Sequence, residues 1–508
     1  MAEIVRVAVE NAAYHFDKLY DYLVPAGMTL APGQRVVVPF GRGKARCRMG
    51  LVLELAEAPA EAPGPGIKAV QSAADPEPVL DEELLRLLRW LKAETFCTWY
   101  DGLRVLLPGG YGMRTQRSWS PRRGEGYDEA SLSPQAAQLL RYLLGRKKPV
   151  GQEELLEAMG LAENHPALRE LEERGLAQCQ DLLKRRVQDQ KIQMVRLAPD
   201  WEAALLTPKQ EQVLELLQGV GCASVKEVCY FAGVTKGVVD HFVRAGAGEY
   251  YVEETYRDPC ADAELPPREE IALSPEQQAA AEQLQEAFRR HEGATALLFG
   301  VTGSGKTQVF MKVIDLALAA GEQAIVLVPE IALTPQTIRR FRGYYGQRVA
   351  VLHSGLSMSQ RLDEWKRAKR GLVDVVVGTR SAVFAPLPRL GLIVVDEEQE
   401  HTYRSESSPR YDARDAARVR MKLRRGLTVL CSATPSVESY YHGERGDYLL
   451  VKLPRRYGTA RLPSVTILDM QRQEIPAEGL SEELCQEIHQ NLKQGEQTIL
   501  LMNRRGYS

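Results

Sequence analysis

The sequence predicts an α/β protein whose largest part is a parallel sheet with flanking helices. Three observations support this. From Pro266 onward, apolar runs of strand length alternate with helical patterns, as in parallel sheets buried on both faces. One run, residues 296–299, leads directly into Gly300-Val-Thr-Gly-Ser-Gly-Lys-Thr307. A helical pattern follows this motif and ends at Gly321. A strand, a glycine turn and a helix in this order predict a phosphate-binding loop.

The glycine motif predicts a nucleotide site. Its glycines let backbone N–H groups turn toward phosphate oxygens at the positive end of the helix. Lys306 is placed to reach the β- and γ-phosphates, and Thr307 to offer its hydroxyl to Mg²⁺. A glycine turn without a ligand is the alternative. The candidate ATP-binding residues in the motif are Gly300, Thr302, Gly303, Ser304, Gly305, Lys306 and Thr307.

The six apolar runs of this region predict the strands of the sheet, at 296–299, 325–328, 349–352, 373–377, 392–395 and 428–431. Helical patterns at 334–345 and 358–370 fill two of the gaps. Ligands of such sheets bind at the carboxyl ends of the strands.

Composition limits the class of protein. A chain of 508 residues predicts about three domains, and 44% hydrophobic with 26% charged residues is ordinary for a globular protein. The formal net charge of −2 requires any nucleic-acid site to be a local patch. The eight cysteines form no C-x-x-C pair, which favours a reducing compartment and argues against a metal site in this segment. We expect no signal peptide and no membrane span.

The first 110 residues predict a small β-rich domain closed by one helix. Short alternating runs predict strands at 4–9, 20–24, 34–40 and 48–55. The Pro- and Ala-rich segment 56–66 predicts a loop, and residues 80–100 a single helix.

Residues 115–260 predict two similar units, each with three short helices and a terminal strand. This pattern resembles a winged helix, which serves either DNA contact or protein contact, and the sequence leaves both open. Basic clusters at 114–123 and 184–186 are candidate DNA contacts or solvated faces. The expected helices are 138–144, 153–159 and 166–174, then 210–217, 225–232 and 236–245.

An acidic pair follows the apolar run 392–395. Asp396 is placed to anchor Mg²⁺ at the end of a strand, and Glu397 to position or deprotonate an attacking water. Two acidic loop residues without a catalytic role are the alternative. The candidate catalytic residues are therefore Lys306, Asp396 and Glu397.

Three further segments follow predicted strands. Residues 329–335 and 378–381 carry hydroxyl and amide groups suited to a phosphate backbone, including those of Thr379 and Arg380. Residues 431–435 contain Ser432 and Thr434, which could bridge the nucleotide site to a nucleic-acid groove. In 273–277, Gln277 is the candidate adenine-reading residue, with Gln278 as the competing choice.

These motifs resemble those of superfamily 2 helicases, and within them the PriA family of primosomal replication-restart helicases. The resemblance covers nearly the whole chain and rests on DKLYDYLVP (17–25), PGQRVVVPFG (32–41), GVTGSGKT (300–307), VPEIALTPQ (328–336), GTRSAVFAP (378–386), DEEQEHTYRSESSPRYDARD (396–415), SATPSVES (432–439), LPSVTILDM (462–470) and NRRGY (503–507).

The resemblance implies four parts: a 3′-end DNA-binding domain (1–110), a winged-helix region (115–260), an ATP-binding RecA-like helicase lobe (266–470) and the start of a second lobe (471–508). Tyr20, Asp21 and Gly33 fall where the family's 3′-end pocket is expected, and an ordinary strand is the alternative. An aromatic-rich loop after Asp396 is expected to stack on single-stranded bases and to couple DNA binding to ATP hydrolysis. Its candidates are Tyr403, Arg404, Arg410 and Tyr411.

The implied activity is an ATP- and Mg²⁺-dependent 3′→5′ DNA helicase that restarts replication at stalled forks. The implied partners are forked and single-stranded DNA, primosome and helicase-loading proteins and single-stranded DNA-binding protein, in the cytoplasm at the nucleoid. Two other readings stay open, another superfamily 2 translocase and a fork-binding scaffold with a non-functional motor. A small-molecule kinase does not account for segments 378–381 and 432–436.

The chain departs from the family pattern in two ways. The family usually has the sequence DEEH, whereas this chain has Gln399 in place of the histidine. A glutamine can donate and accept hydrogen bonds, but it cannot become positively charged by protonation. The family's cysteine-rich zinc module and the rest of its second lobe would follow Ser508, so no zinc ligand is expected in this chain. We expect the fragment alone to lack part of the ATP site. Gln399, Ser432 and Thr434 are the candidate coupling residues.

Overall fold

The computed structural model describes residues 3–10, 14–40, 47–57, 67–109, 111, 113–122, 132–146, 148–162, 165–185, 190–199, 206–257, 272–456, 464–469 and 480–501. The chain divides into two compact units, 1–455 and 456–508. Most of the predicted loop 56–66, Arg123, Arg186, Cys260 and residues 503–507 lie outside the described ranges.

An antiparallel sheet opens the chain. All the apolar residues at 4–9 and 36–38 are buried, consecutive ones included, so these strands are covered on both faces. The strand order is β2-β1-β4-β3-β5, so β2 is an edge strand. The strands are β1 (Glu3–Val9), β2 (Leu19–Leu23), β3 (Arg35–Pro39), β4 (Cys47–Glu57) and β5 (Ser72–Ala73).

Two helices close this domain where the sequence predicted one, so that prediction was wrong. Helix α1 spans Glu82–Thr95 and α2 spans Trp99–Leu106. The break falls at Phe96, which takes a left-handed conformation at φ 52° and ends α1. Thr98 then begins α2 with a capping box to Asp101. The apolar periodicity continues across this break and therefore hides it.

Both predicted winged-helix units are present, each with three helices against a three-stranded sheet. Every predicted helix is found within four residues of its expected ends. Unit one has β6 (Met113–Pro121), α3 (Pro134–Leu144), β7 (Val150–Gly151), α4 (Gln152–Met159), α5 (Pro166–Glu173) and β8 (Ala177–Arg185). Unit two has β9 (Gln190–Leu197), α6 (Pro208–Val220), β10 (Cys222–Ser224), α7 (Val225–Phe231), α8 (Lys236–Arg244) and β11 (Gly248–Thr255).

The described residues 272–455, called the motor lobe below, are built on a seven-stranded sheet in which every strand pair is parallel. Six of its strands are those predicted from sequence. The strands are β12 (Thr295–Gly300), β13 (Gln323–Leu327), β14 (Val349–Leu352), β15 (Val375–Gly378), β16 (Leu390–Val395), β17 (Leu427–Ser432) and β18 (Leu449–Leu453).

Sequence reasoning missed β18, an edge strand whose Leu449 is exposed. The sheet order is β14-β15-β13-β16-β17-β12-β18. The helices of the lobe are α9 (Pro275–Arg289), α10 (Lys306–Ala319), α11 (Pro335–Tyr345), α12 (Met358–Lys369), α13 (Ala413–Arg424) and α14 (Val437–Glu444).

The second unit is described at Arg456, 464–469 and 480–501, and these residues include one helix, α15 (Glu482–Lys493). Among the described helices of the chain, none combines the length and apolar character that crossing a membrane requires. Within the same described residues, no group of three or more His, Cys, Asp or Glu side chains is arranged to hold a metal ion.

Candidate functional site

The phosphate loop lies between β12 and α10, as the sequence predicted. Gly303 and Gly305 take φ of +78° and +80°, a region that other residues rarely adopt. A Cβ added at Gly305 would lie 2.2 Å from Nε2 of Gln277, so this turn also requires a glycine for space. Helix α10 then begins at Lys306 with its N-terminus at the loop. The backbone is thus shaped as an anion cradle.

The side chains of the loop are arranged for a ligand. Lys306 is 9% exposed, and its Nζ donates to the carbonyl oxygen of Gly300 at 2.9 Å. The hydroxyl of Ser304 is buried and has no hydrogen-bond partner among the residues that the structure describes. A buried hydroxyl without a partner is costly, so a phosphate oxygen at this position would satisfy it. The residues present therefore fit a bound nucleotide.

Gln277 holds the phosphate loop in this structure. It is 2% exposed, and its Oε1 accepts the N–H of Ser274 in the capping box that begins α9. Its Nε2 donates to the carbonyl oxygen of Ser304 at 2.9 Å. Both ends of the amide are therefore used inside the protein. Adenine reading by Gln277 stays a prediction, and the competing Gln278 is exposed.

The acidic pair follows β16, beside β17 and close to the phosphate loop. Burial, followed by the charge of Glu397, raises the pKa of Asp396 from 3.8 to about 6, and Lys306 opposes this shift. Glu397 takes φ +46°, in the left-handed region, although it is not a glycine. Such strain concentrates at functional positions. Two carboxylates are thus held close together where a cation would relieve their repulsion.

A chain of hydrogen bonds joins the acidic pair to the segment after β17. Gln399 Nε2 donates to Glu397 Oε2 at 3.0 Å. Ser432 Oγ donates to Gln399 Oε1 at 2.5 Å, and the N–H of Thr434 donates to Ser432 Oγ at 2.8 Å. The side-chain amide of Gln399 thus donates to Glu397 and accepts from Ser432. The structure therefore brings all three candidate coupling residues into one contact chain that begins at Glu397.

Sequence reasoning missed Glu398, which is 0% exposed. Its carboxylate accepts from the N–H of Ser436 at 2.6 Å and from the hydroxyl of Ser439 at 3.0 Å. Nη1 of Arg414 donates to the backbone oxygen of Glu398 at 2.8 Å. The third acid of the acidic segment thus fastens it to α14 and to the start of α13. The only sequence signal was its place after Asp396 and Glu397.

A cleft of about 470 Å³ lies on the other half of the same sheet edge, past β13, β14 and β15. Arg380 Nη1 crosses it to the backbone oxygen of Arg404 at 2.5 Å, which fastens the loop 401–407 to the end of β15. Thr379 is 5% exposed and begins the 3-10 turn that carries Arg380. The cleft residues are Val328, Glu330, Ser354, Arg361, Thr379, Arg380, Ser381, His401, Thr402, Tyr403, Arg404, Glu406 and Ser407. Ser354 and Arg361, from outside the recognised motifs, were not predicted.

Two predicted base-stacking residues are buried, so the structure corrects that assignment. Tyr403 is 1% exposed, and its hydroxyl donates to the backbone oxygen of Asp396 at 2.6 Å. Tyr411 is 5% exposed and packs edge-on against Phe384 at 4.8 Å. Both rings belong to the core of the lobe. Arg404 and Arg410 are exposed, and of the four loop candidates only these two are accessible to a nucleic acid.

The N-terminal candidates do not form one pocket on a strand face. Tyr20 and Asp21 are neighbours on β2, so their side chains point to opposite faces. Tyr20 packs edge-on against Phe40 at 5.1 Å, and its hydroxyl donates to the oxygen of Phe16. The Asp21 side chain is 53% exposed and lies 3.6 Å from Arg6. A ligand touching both Tyr20 and Asp21 would have to lie over the edge of the sheet.

Gly33 is required to be glycine by the backbone around it, and its place in a 3′-end pocket stays a prediction. It is buried at φ +85°, and its carbonyl oxygen accepts the N–H of Val79 at 2.8 Å. A Cβ there would lie 2.1 Å from the oxygen of Leu80. Glycine is thus required because the chain before α1 crosses directly over this turn.

Two family models match separate parts of the chain. The family model of the PriA 3′ DNA-binding domain (3′BD) matches residues 6–108, and the DEAD/DEAH box helicase model matches residues 274–441. Among solved structures, RecG bound to a three-way DNA junction matches 38% of this chain and 25% of that chain at 24% identity. Its TM-score of 0.28 is too low to support an argument.

Curated relatives extend the match along the chain. The replication restart protein PriA of Bacillus subtilis (strain 168) is 34% identical over 99% of this chain and 62% of its own length. The replication restart protein PriA of Synechocystis sp. (strain PCC 6803) is 32% identical over 96% of this chain and 60% of its own length. This chain thus spans 62% and 60% of the length of these two relatives. By these matches, it belongs to the family of the replication restart protein PriA.

Proposed function

We propose that this chain is the fork-binding and ATP-binding part of a DNA helicase that restarts replication. The observation that carries the proposal is the contact chain from Glu397 through Gln399 and Ser432 to Thr434, beside the phosphate loop. It links a nucleotide-sensing carboxylate to a second segment at the same sheet edge. Such a link is what a nucleic-acid motor needs and a simple nucleotide-binding protein does not.

The nucleotide chemistry follows from the residues of the loop and the acidic pair. Lys306 would exchange the Gly300 oxygen for phosphate oxygens, and Ser304 and the loop amides would hold the remaining charge. Thr307 and Asp396 are the candidate Mg²⁺ ligands. A bound Mg²⁺ would supply charge neutralisation for phosphoryl transfer. Glu397, strained and held by Gln399, is placed to orient a water.

The cleft past β13, β14 and β15 is the candidate path for single-stranded DNA. Thr379, Ser354, the half-buried Arg380 and the exposed Arg404 would contact phosphates without reading sequence. The loop 401–407 lies between this cleft and Asp396. DNA in the cleft and nucleotide at the phosphate loop would therefore both affect the position of this loop. We propose 3′→5′ translocation coupled in this way.

The N-terminal domain would recognise the 3′ end of a nascent strand at a fork, through the exposed edge of β2. The two winged-helix units would contact duplex DNA. Loading proteins, single-stranded DNA-binding protein and a nucleoid location in the cytoplasm belong to this proposal, which the family relationship supports.

The test is binding of the chain to a model fork at fixed salt, with a free or a blocked 3′ end on the leading strand. We expect several-fold weaker binding to the blocked end, and loss of that difference in Asp21→Ala. Glu3→Ala is the matched control, because Glu3 is an exposed acid on the adjacent strand β1. Equal binding to both forks in the unmodified chain would contradict end recognition and favour a general superfamily 2 translocase.

A further inference from the structure

The N-terminal domain and the motor lobe share one apolar core. Helices α1 and α2 bury a row of leucines that includes Leu84 and Leu88, each 0–1% exposed. The same cluster continues into the lobe through Val383, Phe384 and Tyr411. The lobe helix in contact with α1 is α13. The two domains are therefore joined by a packed interface rather than only by the chain between them.

One buried carboxylate lies at the centre of this interface. Glu83 on α1 accepts from Arg420 Nε at 2.6 Å and Nη2 at 3.1 Å, and from Arg424 Nε at 3.0 Å. Arg420 is 0% exposed, and its other nitrogen donates to backbone oxygens of Val383 and Ala385. Burial alone would raise the pKa of Glu83, but the two guanidinium groups lower it below its ordinary value. The carboxylate is thus held charged.

Such an ion triad adds little net stability, because removing three charges from water costs as much as their attraction returns. Its physical effect is on geometry. The planar guanidinium of Arg420 pairs with both carboxylate oxygens of Glu83 in one relative position, whereas an apolar contact would tolerate sliding. Arg424 adds a second fixed contact, donating to Asp81 Oδ2 at 3.1 Å. The C-terminal end of α13 is thereby fixed to α1 in one orientation.

The N-terminal end of the same helix is fixed to the acidic segment. Arg414 donates to the backbone oxygen of Glu398 at 2.8 Å and lies 3.4 Å from its carboxylate. Arg414 also pairs with Asp412, whose carboxylate caps the start of α13. Helix α13 has 12 residues, about 18 Å at 1.5 Å per residue. A rigid element of that length joins α1 at one end to Glu398 at the other.

We propose that α13 transmits the state of the N-terminal domain to the nucleotide site, with Glu83, Arg420 and Arg424 as positioning residues at one end and Arg414 at the other. When a DNA 3′ end engages the sheet that α1 and α2 cover, a displacement of α1 would move α13, and with it Glu398, beside Glu397 and Gln399. The inference rests on the proposed function and assigns an interdomain role to Glu83, Arg420 and Arg424, which lie outside the helicase motifs.

The experiment measures the dissociation constant of a fluorescent ADP for the whole chain with Mg²⁺ present. It is measured at saturating fork DNA, once with a free and once with a blocked 3′ end. We expect the two forks to give values that differ by about fivefold or more, the lower limit of typical coupling between sites. Glu83→Gln keeps the shape of the side chain and removes its charge. We expect it to reduce the difference to less than about twofold while each fork is still bound.

Glu82→Gln is the matched control, because Glu82 is the neighbouring acid on α1, is 79% exposed and pairs with Arg86 in a surface contact. It should leave the full difference. Arg424→Gln, at the edge of the interface and 24% exposed, serves as the second variant should Glu83→Gln not fold, and should give an intermediate difference.

Retention of the full difference in both Glu83→Gln and Arg424→Gln would overturn the inference. A chain that binds fork and nucleotide but shows no difference between the two forks would also overturn it, while leaving the nucleotide site intact. A chain that binds no nucleotide in any condition would instead overturn the proposed function.

Discussion

Replacing Asp396 by asparagine should stabilise the nucleotide-free protein. The aspartate is held beside Glu397 in a partly buried position, and burial with that neighbouring charge raises its pKa from 3.8 to about 6. The side-chain oxygen that accepts the N–H of Glu397 at 3.1 Å is kept in asparagine. The substitution therefore removes the unfavourable charge and retains the shape and the hydrogen bond.

The size of the effect follows from linkage. A pKa difference of about 2 corresponds to about 3 kcal/mol at pH 7.5, at 1.36 kcal/mol per unit. Between the two pKa values the folded chain binds more protons than the unfolded chain, so this contribution favours folding below that window and is lost as pH rises through about 6. The gain in Asp396→Asn should shrink to about half at pH 5.

Thermal unfolding of the motor lobe measures this gain. At pH 7.5 we expect Asp396→Asn to raise Tm by roughly 6–12 °C, using the usual relation for a domain of this size. Glu292→Gln, an exposed acid of the same lobe, should shift Tm by no more than about 2 °C. The nucleotide with Mg²⁺ should stabilise the unmodified chain more than the variant. An Asp396→Asn protein no more stable than the parent at pH 7.5, or equally stabilised at pH 5, would refute the reasoning.

Three other predictions concern Gly33, Tyr403 and Gln399. Gly33→Ala should lower Tm far more than Gly27→Ala, because both have positive φ but only at Gly33 would a Cβ collide with backbone; equal shifts would contradict the steric account. Tyr403→Phe should cost about 1–3 kcal/mol in unfolding free energy, because it removes the hydrogen bond to the backbone oxygen of Asp396; an unchanged unfolding free energy would contradict that contact. Gln399→Leu should abolish the effect of single-stranded DNA on nucleotide affinity, while Gln399→His retains it; an unchanged effect in Gln399→Leu would remove the contact chain from the mechanism.

The sheet of the motor lobe was predictable because its strands are continuous apolar runs, each ending at a polar motif. These apolar runs also located the phosphate loop and the acidic pair, because the residues of each site are adjacent in the sequence. The break between α1 and α2 was not predictable, because a single left-handed residue, Phe96, interrupts an otherwise continuous apolar face. Edge strand β18 was missed although its sequence, LLVKL, is an apolar run of strand length.

The burial of individual side chains was the main source of error. Tyr403 and Tyr411 stand among arginines and serines, a composition that suggests an exposed stacking loop, yet their rings fill the lobe core. Gly33 and Gln277 have structural partners 46 and 27 positions away, at Val79 and Ser304. Glu83 and Arg420 are 337 positions apart. Contacts over such separations depend on how the domains pack, and no local pattern records them.

The most direct test of the account is the titration of the whole chain with fluorescent ADP and Mg²⁺, compared between the parent and Lys306→Ala. Lys312→Ala is the matched control, since Lys312 lies on the same helix α10 beyond the loop. We expect saturable binding by the parent and the control, and an affinity at least about tenfold weaker in Lys306→Ala, equal to about 1.4 kcal/mol. Binding that is absent from the parent, or unaffected by the loss of Lys306, would contradict the assignment of this loop as the nucleotide site of a motor.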